Sequence, residues 1–271
     1  MKAYLQLLRP HQWLKSLLLL FPPFLGGVLY RIDSFTAFAL PLISFSLAAS
    51  SVYIINDILD QQQDVHHPQK SLRPIAAGQV TSNSALIYAI FIIVVALSAA
   101  WQISPPFLLV VAFYLLISVS YSLKLKNLAI VEMFCVISGF LLRLYAGGIA
   151  YQVQLSDWLV LSVFLLALFL VAGKRLGELN HSGGSSAGMI RPVLTKYPKG
   201  FFEICLAISG AAVLVTYTLY LIRYHGNLLL IPLCCFGLLS YVARVLAGKG
   251  GDPTRALLRD PYLFVVGVAW I

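Results

Sequence analysis

The stretch TAFALPLISFSLAASSVYIIND, residues 36–57, decides the fold class of this chain. Its first twenty residues carry no charged side chain. A helix of about 20 apolar residues, rising about 1.5 Å per residue, is long enough to cross the hydrocarbon core of a bilayer. Asn56 and Asp57 then open a polar segment directly after the apolar run. We therefore predict a membrane-spanning helix with polar residues at its carboxyl end.

The whole composition agrees with a membrane protein. Of 271 residues, 60% are hydrophobic and 11% are charged, and the mean hydropathy is +0.87. A soluble domain carries roughly 25% charged residues, and a disordered chain is poor in apolar residues, so both classes are excluded. We expect an all-α fold: one polytopic membrane helix bundle of about nine transmembrane helices, formed as a single domain by residues 1–271. The expected spans lie near 14–31, 36–57, 84–102, 106–122, 128–150, 157–174, 201–222 and 227–247, with a ninth from Pro261 to Ile271 that begins earlier, around Arg255, or stops short of a full span.

The positive charges predict the orientation of the bundle. Sixteen of the 19 lysines and arginines fall in loops on one side of these spans, whereas only Arg31 and Arg223 fall on the other. Cytoplasmic loops of membrane proteins carry an excess of Lys and Arg. We therefore expect a multi-pass protein of the plasma membrane with its N-terminus and its active site on the cytoplasmic face. The net charge of +9 fits this orientation and anionic substrates rather than nucleic acid.

An acidic segment follows the span at residues 36–57. It reads NDILDQQQDVHHPQKSLRP, residues 56–74. On a helix Asp57, Asp60 and Asp64 share a face within an arc of about 60°. Three carboxylates this close repel one another unless a cation lies among them, and hard oxygen ligands suit Mg²⁺. We predict that these three are the catalytic residues and that, with Asn56, they bind Mg²⁺.

Basic residues follow the acids within the same segment. Lys70 and Arg73 would neutralise phosphate oxygens beside a bound metal, which is the chemistry of a diphosphate site. His66 and His67 fit loop polarity or a phosphate contact better than metal ligation. We take His67, Lys70 and Arg73 as candidate substrate-binding residues.

This segment resembles the first aspartate-rich motif of the UbiA superfamily of intramembrane prenyltransferases. Its longer form, NDILDQQQDVHHPQKSLRPIAAG, is similar to the branch of decaprenyl-phosphate phosphoribosyltransferases. The resemblance continues in RPHQWLKS (9–16), YSLKLKN (121–127), LRLYAGG (142–148) and GKRLGEL (173–179). Lys15, in the first of these stretches, is a further candidate for substrate binding.

The chain departs from the usual superfamily pattern after the sixth span. Typical members carry a second aspartate-rich motif there, whereas this sequence has Lys174, Arg175 and Glu178. Two cations suit a lipid phosphate, although flanking positive charge is an alternative, and Glu178 is placed for an i,i+4 pair with Lys174. Arg191 lies in the following loop, which either covers a substrate or simply connects two helices. We take as further candidates for substrate binding Asn56, Lys174, Arg175, Glu178 and Arg191.

Two further cations are candidates for substrate binding. Arg143 lies within a span, and an ionisable residue inside a membrane is a functional candidate. Glu132 lies in the same span, but eleven residues separate the two by about 16 Å along a helix, so we expect them to face the interior separately. Lys126 follows the fourth span and is either a phosphate ligand or a flanking charge.

The resemblance implies an enzyme of the pentosyl glycosyltransferase type. It would transfer a 5-phosphoribosyl group, with Mg²⁺, from phosphoribosyl pyrophosphate to a polyprenyl phosphate, giving a cell wall precursor in some organisms. The alternative within the superfamily is a prenyltransferase that moves a prenyl group from a prenyl diphosphate to an aromatic acceptor. A transporter is the rival of another class, but the acids lie at the end of a span rather than at its centre. Homo-oligomer formation is left open.

Overall fold

The computed structural model describes residues 2–32, 34–66, 70–181, 192–224, 226–253, 256–257 and 260–270. These residues form helices and loops and contain no β-strand. In chain order the α-helices are α1 (Lys2–Leu8), α2 (Phe21–Leu25), α3 (Phe35–Leu59), α4 (Gln61–Val65), α5 (Ser82–Ile103), α6 (Pro105–Leu123), α7 (Val131–Ala150), α8 (Asp157–His181), α9 (Phe201–Arg223), α10 (Leu230–Leu246) and α11 (Pro261–Trp270). Short 3₁₀ helices cover Pro10–Leu20, Leu29–Arg31, Lys70–Leu72, Leu125–Asn127 and Pro192–Lys196.

Six of the described helices are long and apolar enough to cross a membrane: α3, α5, α6, α7, α8 and α9. They match six of the spans expected from the sequence. The expected span at 14–31 is instead divided among a 3₁₀ helix, α2 and a second 3₁₀ turn. Pro22 and Pro23 begin a new helix there, and Gly27, with φ of 66°, ends it. Helix α10 has 17 residues and α11 has 10, so both are shorter than the six candidate membrane-spanning helices.

The chain divides into two compact units. The first contains residues 1–126 and 138–155, and the second contains residues 127–137 and 156–271. Helix α7 therefore begins in the second unit and ends in the first.

Helix α3 is the centre of the first unit. Small residues line its buried face (Ser44, Ala48, Ala49, Ser50, Ser51), and small residues let membrane helices approach closely. The Ser44 hydroxyl donates a hydrogen bond of 2.9 Å to the carbonyl oxygen of Ala96 on α5. Because α3 is anchored along this face, its carboxyl end is a fixed platform for the acidic segment.

Gly147 on α7 packs directly against the backbone of the 3₁₀ helix Pro10–Leu20. A methyl group at this position would overlap the backbone of Leu19 in the 3₁₀ helix. This glycine belongs to the LRLYAGG stretch, and its lack of a side chain is a packing requirement.

The second unit is built on α8 and α9. Gly210 of α9 lies against the ring of Phe169 on α8, and that ring packs on Tyr241 of α10 with centroids 5.3 Å apart. These contacts fix the carboxyl half of α8, which carries Lys174, Arg175 and Glu178.

Candidate active site

The three predicted acids lie around a break in the helix. Asp57 belongs to the last turn of α3, Asp60 separates α3 from α4, and Asp64 lies in α4. The side chains of Asp57 and Asp64 are only 2% exposed, whereas Asp60 is 18% exposed. Two buried carboxylates therefore stand beside a more accessible one.

Arg73 connects the two buried acids. Its Nη1 donates to Asp57 Oδ1 at 3.0 Å and also to Asp64 Oδ2. Lys70 Nζ lies 3.8 Å from the other oxygen of Asp64. A buried carboxylate is stable only when it is paired and hydrogen-bonded, and these cations supply partners for both acids. Lys70 and Arg73 were both predicted as site residues, and the structure brings both to the acids.

Asp60 has partners of its own. The Asn56 side-chain amide donates a hydrogen bond of 2.9 Å to Asp60 Oδ2, and the Lys126 ammonium donates to Oδ1. Lys126 is 66 residues away in sequence. Lys126 therefore lies at the acidic segment, and its predicted role in substrate binding stays a prediction.

Arg9 is a site residue that the sequence analysis did not single out. Its Nη2 donates to Asp57 Oδ1, and its guanidinium lies over the ring of Tyr53, 5.3 Å from the centroid. Its backbone has φ of 50° and ψ of 60°, a left-handed conformation that is costly for a residue with a side chain. The available signal was its place at the head of RPHQWLKS, directly before Pro10.

A chain of hydrogen bonds holds Arg9 in this conformation. The Trp13 indole donates at 2.9 Å to the Ser50 hydroxyl, which donates at 2.7 Å to the carbonyl oxygen of Leu8. The left-handed turn is thereby tied to α3. Backbone strain of this kind persists where the surroundings impose it, and it is common at functional sites.

The donor set of the acidic segment fits a hard divalent cation in its chemistry. Three carboxylates and an amide lie within nine residues, and one nitrogen of Arg73 reaches two of the carboxylates. Among the described residues, no three acidic, histidine or cysteine side chains converge on one point. A bound ion would therefore share these carboxylates with Arg9, Arg73 and Lys126.

A second charged cluster lies in the second unit. Arg175 is 3% exposed, and its Nε and Nη2 donate to the two oxygens of Glu132 at 2.8 and 2.6 Å. Its Nη1 donates to Glu178 at 3.0 and 3.1 Å. Glu178 therefore pairs with Arg175, and the expected partner, Lys174, lies 3.8 Å from Asp252. Glu132 is fully buried, and the predicted separation of Glu132 from Arg143 agrees with these partners.

Tyr197 completes this cluster. Its hydroxyl accepts a hydrogen bond of 2.7 Å from the backbone of Ile130 and lies 3.5 Å from Glu132 Oε1. Burial raises the pKa of the Tyr197 phenol above its usual value of 10, so it remains a donor to Glu132. Ile130 is itself left-handed, with φ of 67°, which is rare for a branched residue. Tyr197 therefore ties a strained turn to the buried ion pair.

Arg143 lies in an aromatic environment in the first unit. Its guanidinium is 5.1 Å from the centroid of Phe45 and 5.0 Å from that of Tyr114. It donates to the Gly139 carbonyl oxygen at 2.6 Å and to the Tyr114 hydroxyl at 3.2 Å. Stacking on two aromatic faces stabilises a buried cation. The substrate-binding role predicted for Arg143 stays a prediction.

The other predicted residues are placed as follows. Lys15 lies on the 3₁₀ helix Pro10–Leu20, six residues after Arg9. His67 and Arg191 lie outside the described residues.

Comparison with known proteins gives a consistent result over almost the whole chain. Residues 19–265 match the UbiA prenyltransferase family. A decaprenyl-phosphate phosphoribosyltransferase of Mycobacterium tuberculosis is 36% identical, over 97% of this chain and 90% of its own length. The enzyme of the same name from Mycolicibacterium smegmatis is 33% identical, over 97% and 88% of the two chains.

A solved structure supports the fold. The UbiA homolog from Archaeoglobus fulgidus bound to GPP and Mg²⁺ superposes with a TM-score of 0.76 over 98% of this chain and 96% of that chain. The two sequences are 21% identical, so the similarity concerns the fold alone.

Proposed function

Since the chain belongs to the UbiA prenyltransferase family, we propose that it is a phosphoribosyltransferase of that family. It transfers a 5-phosphoribosyl group from phosphoribosyl pyrophosphate to a polyprenyl phosphate of the decaprenyl phosphate type. The observation that carries the proposal is the 36% identity, along 97% of this chain, to an enzyme of that name.

The first charged cluster suits the diphosphate of the donor. Four cations (Arg9, Lys70, Arg73, Lys126) contact three carboxylates (Asp57, Asp60, Asp64). The acids would hold Mg²⁺ with Asn56, and the metal would supply charge neutralisation for the leaving pyrophosphate. The cations would bind the remaining phosphate oxygens. His67 and Lys15 are proposed to contact the substrates at the margin of this site.

The reaction exchanges one carbon–oxygen bond for another. The bond from ribose C1 to the pyrophosphate oxygen breaks, and its electron pair leaves with pyrophosphate. An oxygen of the lipid phosphate then forms the new bond to C1. That phosphate is already an anion near neutral pH, so the protein needs no general base. The cations therefore position two anions whose mutual repulsion would otherwise keep them apart.

Residues at the second charged cluster would contribute to binding of the acceptor. We propose that Lys174, with Arg191, binds the lipid phosphate. Arg143 is proposed as a further substrate-binding residue. Because Arg175 is 3% exposed and pairs with Glu132 and Glu178, its contribution is to hold this part of α8 in place. The acidic motif typical of the superfamily is replaced here, which disfavours a prenyl diphosphate donor with an aromatic acceptor.

We further propose that the protein is a single multi-pass domain of the plasma membrane with about nine spans and a cytoplasmic N-terminus. The active site would face the cytoplasm, where most of the lysines and arginines lie. A homo-oligomer is compatible with this arrangement.

A transfer assay tests the proposed activity. Purified protein in detergent receives phosphoribosyl pyrophosphate labelled in the ribose, a polyprenyl phosphate and Mg²⁺. Label is expected in the organic phase, and EDTA should abolish it. An Asp60→Asn variant should lose transfer, whereas Glu203→Gln, which changes an exposed acid on α9, should keep it.

Two outcomes would refute the proposal. Absence of transfer to polyprenyl phosphates of several lengths, with transfer from a prenyl diphosphate to an aromatic acceptor, would establish the alternative donor. Full activity of Asp60→Asn would remove the acidic segment from the mechanism.

A further inference from the structure

The segment between α10 and α11 is fitted tightly against α8. A methyl group on Gly251 would overlap the carbonyl oxygen of Gly173, and a methyl group on Gly177 would overlap the backbone nitrogen of Gly251. Gly173 and Gly177 are one helical turn apart and frame Lys174. The backbone of the distal segment therefore rests directly on the part of α8 that carries the charged motif.

Side-chain hydrogen bonds from α10 hold the segment there. The Tyr241 hydroxyl lies 2.7 Å from the Gly251 carbonyl oxygen and 3.3 Å from that of Leu170 on α8. Arg244 donates to the Lys249 carbonyl oxygen at 3.2 Å and to Asp260 at 3.1 Å. Anchors on both sides of Gly251 leave the next residue, Asp252, little freedom of position.

Asp252 lies beside Lys174. Asp252 Oδ2 is 3.8 Å from Lys174 Nζ, and each side chain is 40% exposed. The neighbouring cation, Arg175, is 3% exposed and is hydrogen-bonded to Glu132 and Glu178. Of the two cations in the GKRLGEL stretch, Lys174 is therefore the one that can reach an incoming anion.

We propose that Asp252 is a positioning residue for Lys174, which binds the phosphate of the lipid acceptor. This proposal rests on the proposed function. Asp252 restrains the ammonium at 3.8 Å, and the 40% exposure of the Lys174 side chain leaves that ammonium accessible to a phosphate. Restraint before binding removes an entropic cost that the ligand would otherwise meet. This restraint is expected to lower the KM for the acceptor about three- to tenfold.

A double-mutant cycle tests the coupling of the two residues. Asp252→Asn, Lys174→Gln and the double variant are assayed with saturating donor and a titration of polyprenyl phosphate. Asp252→Asn should raise the acceptor KM about three- to tenfold and leave kcat within about twofold. Because Asp252 acts through Lys174, the double variant should match Lys174→Gln. Asp252→Glu should restore part of the loss, and Glu203→Gln is the matched control.

Gly251→Ala perturbs the same residue without changing a charge. The added methyl displaces Asp252 from Lys174, so the acceptor KM should rise as in Asp252→Asn. Thermal unfolding of each variant separates this effect from a general loss of structure.

Several results would overturn the proposal. One is an unchanged acceptor KM in Lys174→Gln. Another is a full additional loss on adding Asp252→Asn to Lys174→Gln. A third is a fall in the thermal midpoint of Asp252→Asn that accounts for its loss. Binding of polyprenyl phosphate, measured without donor, keeps the two proposals distinguishable. If the wild-type protein binds this lipid but does not transfer phosphoribose, the proposed function fails. The double-mutant cycle is then measured as the Kd for polyprenyl phosphate.

Discussion

Replacing Arg9 by Gln should destabilise the protein measurably without unfolding it. Asp57 is 2% exposed, and its Oδ1 accepts from both Arg9 and Arg73. Loss of Arg9 therefore weakens a buried carboxylate but leaves it one cation. A hydrogen bond to a charged group contributes about 1.5–3 kcal/mol, and the second partner and the 19% exposure of Arg9 place this one near about 1.5 kcal/mol.

The stacking on Tyr53 adds about 0.5 kcal/mol, so the expected total is about 2 kcal/mol. For a chain of this size that lowers the unfolding midpoint by about 4–8 °C. The Arg73→Gln variant should lose more, about 3 kcal/mol, because that residue contacts both buried acids. The measurement is thermal unfolding in detergent, with transfer activity followed in parallel.

Lys2→Gln is the control for this prediction. It removes the same charge from α1, and Lys2 is exposed, so its midpoint should equal that of the wild type. The assignment of Arg9 to the acidic site is refuted if the unfolding midpoint of Arg9→Gln equals that of Lys2→Gln. A midpoint of Arg9→Gln below that of Arg73→Gln would refute it as well.

On the proposed function, Asp57→Asn should abolish Mg²⁺-dependent transfer, because it removes a charge that Arg73 contacts and that the metal would require; the assay is label in the organic phase. Gly147→Ala should cost about 1–3 kcal/mol, because its methyl group would overlap the Leu19 backbone, and thermal unfolding in detergent measures the loss. Tyr197 has a pKa raised by burial, so its contribution to stability should be present below pH 10 and be lost as the pH rises above it. Tyr197→Phe should flatten that fall, as measured by unfolding between pH 7 and 11.

Each of these three predictions has its own contrary result. Substantial activity of Asp57→Asn would exclude that carboxylate from the metal site. Gly210→Ala, whose methyl meets only the edge of a ring at 3.2 Å, should cost less than Gly147→Ala, and the reverse order would contradict the packing argument. If the stability of Tyr197→Phe falls as steeply above pH 10 as that of the wild type, the loss of stability belongs to another group.

The helices and the acidic segment could be predicted from the sequence because both are local patterns. The length of an apolar run can be read directly from the sequence. The spacing predicts one shared face for Asp57, Asp60 and Asp64, but the helix breaks at Asp60, and only Asp57 and Asp64 share a partner, Arg73. The all-α fold and the family are confirmed, whereas the substrate-binding roles of Lys70, Arg73 and Lys126 stay predictions. Six spans are confirmed by length, whereas the first expected span is divided by its prolines and glycines.

Long-range pairings were beyond the reach of such patterns. Arg9 meets Asp57 across 48 residues, and nothing in the local sequence shows which acid an arginine will reach. Arg175 was predicted to bind substrate or to be a flanking charge, and its burial against Glu132 depends on a pairing between residues 43 positions apart. Asp252 meets Lys174 only because glycines allow two backbones to touch.

The ion pairs of the acidic segment also determine how the protein should respond to ionic strength. Their atoms lie within 4 Å of one another and two of the acids are 2% exposed, well inside a Debye length of about 8 Å at physiological salt. A donor anion approaching from solution is screened over most of its path. Added salt should therefore lower kcat/KM for the donor while leaving the unfolding midpoint unchanged. On the proposed function, these cations would therefore contribute to capture of the substrate in a salt-dependent way and to stability in a salt-independent way.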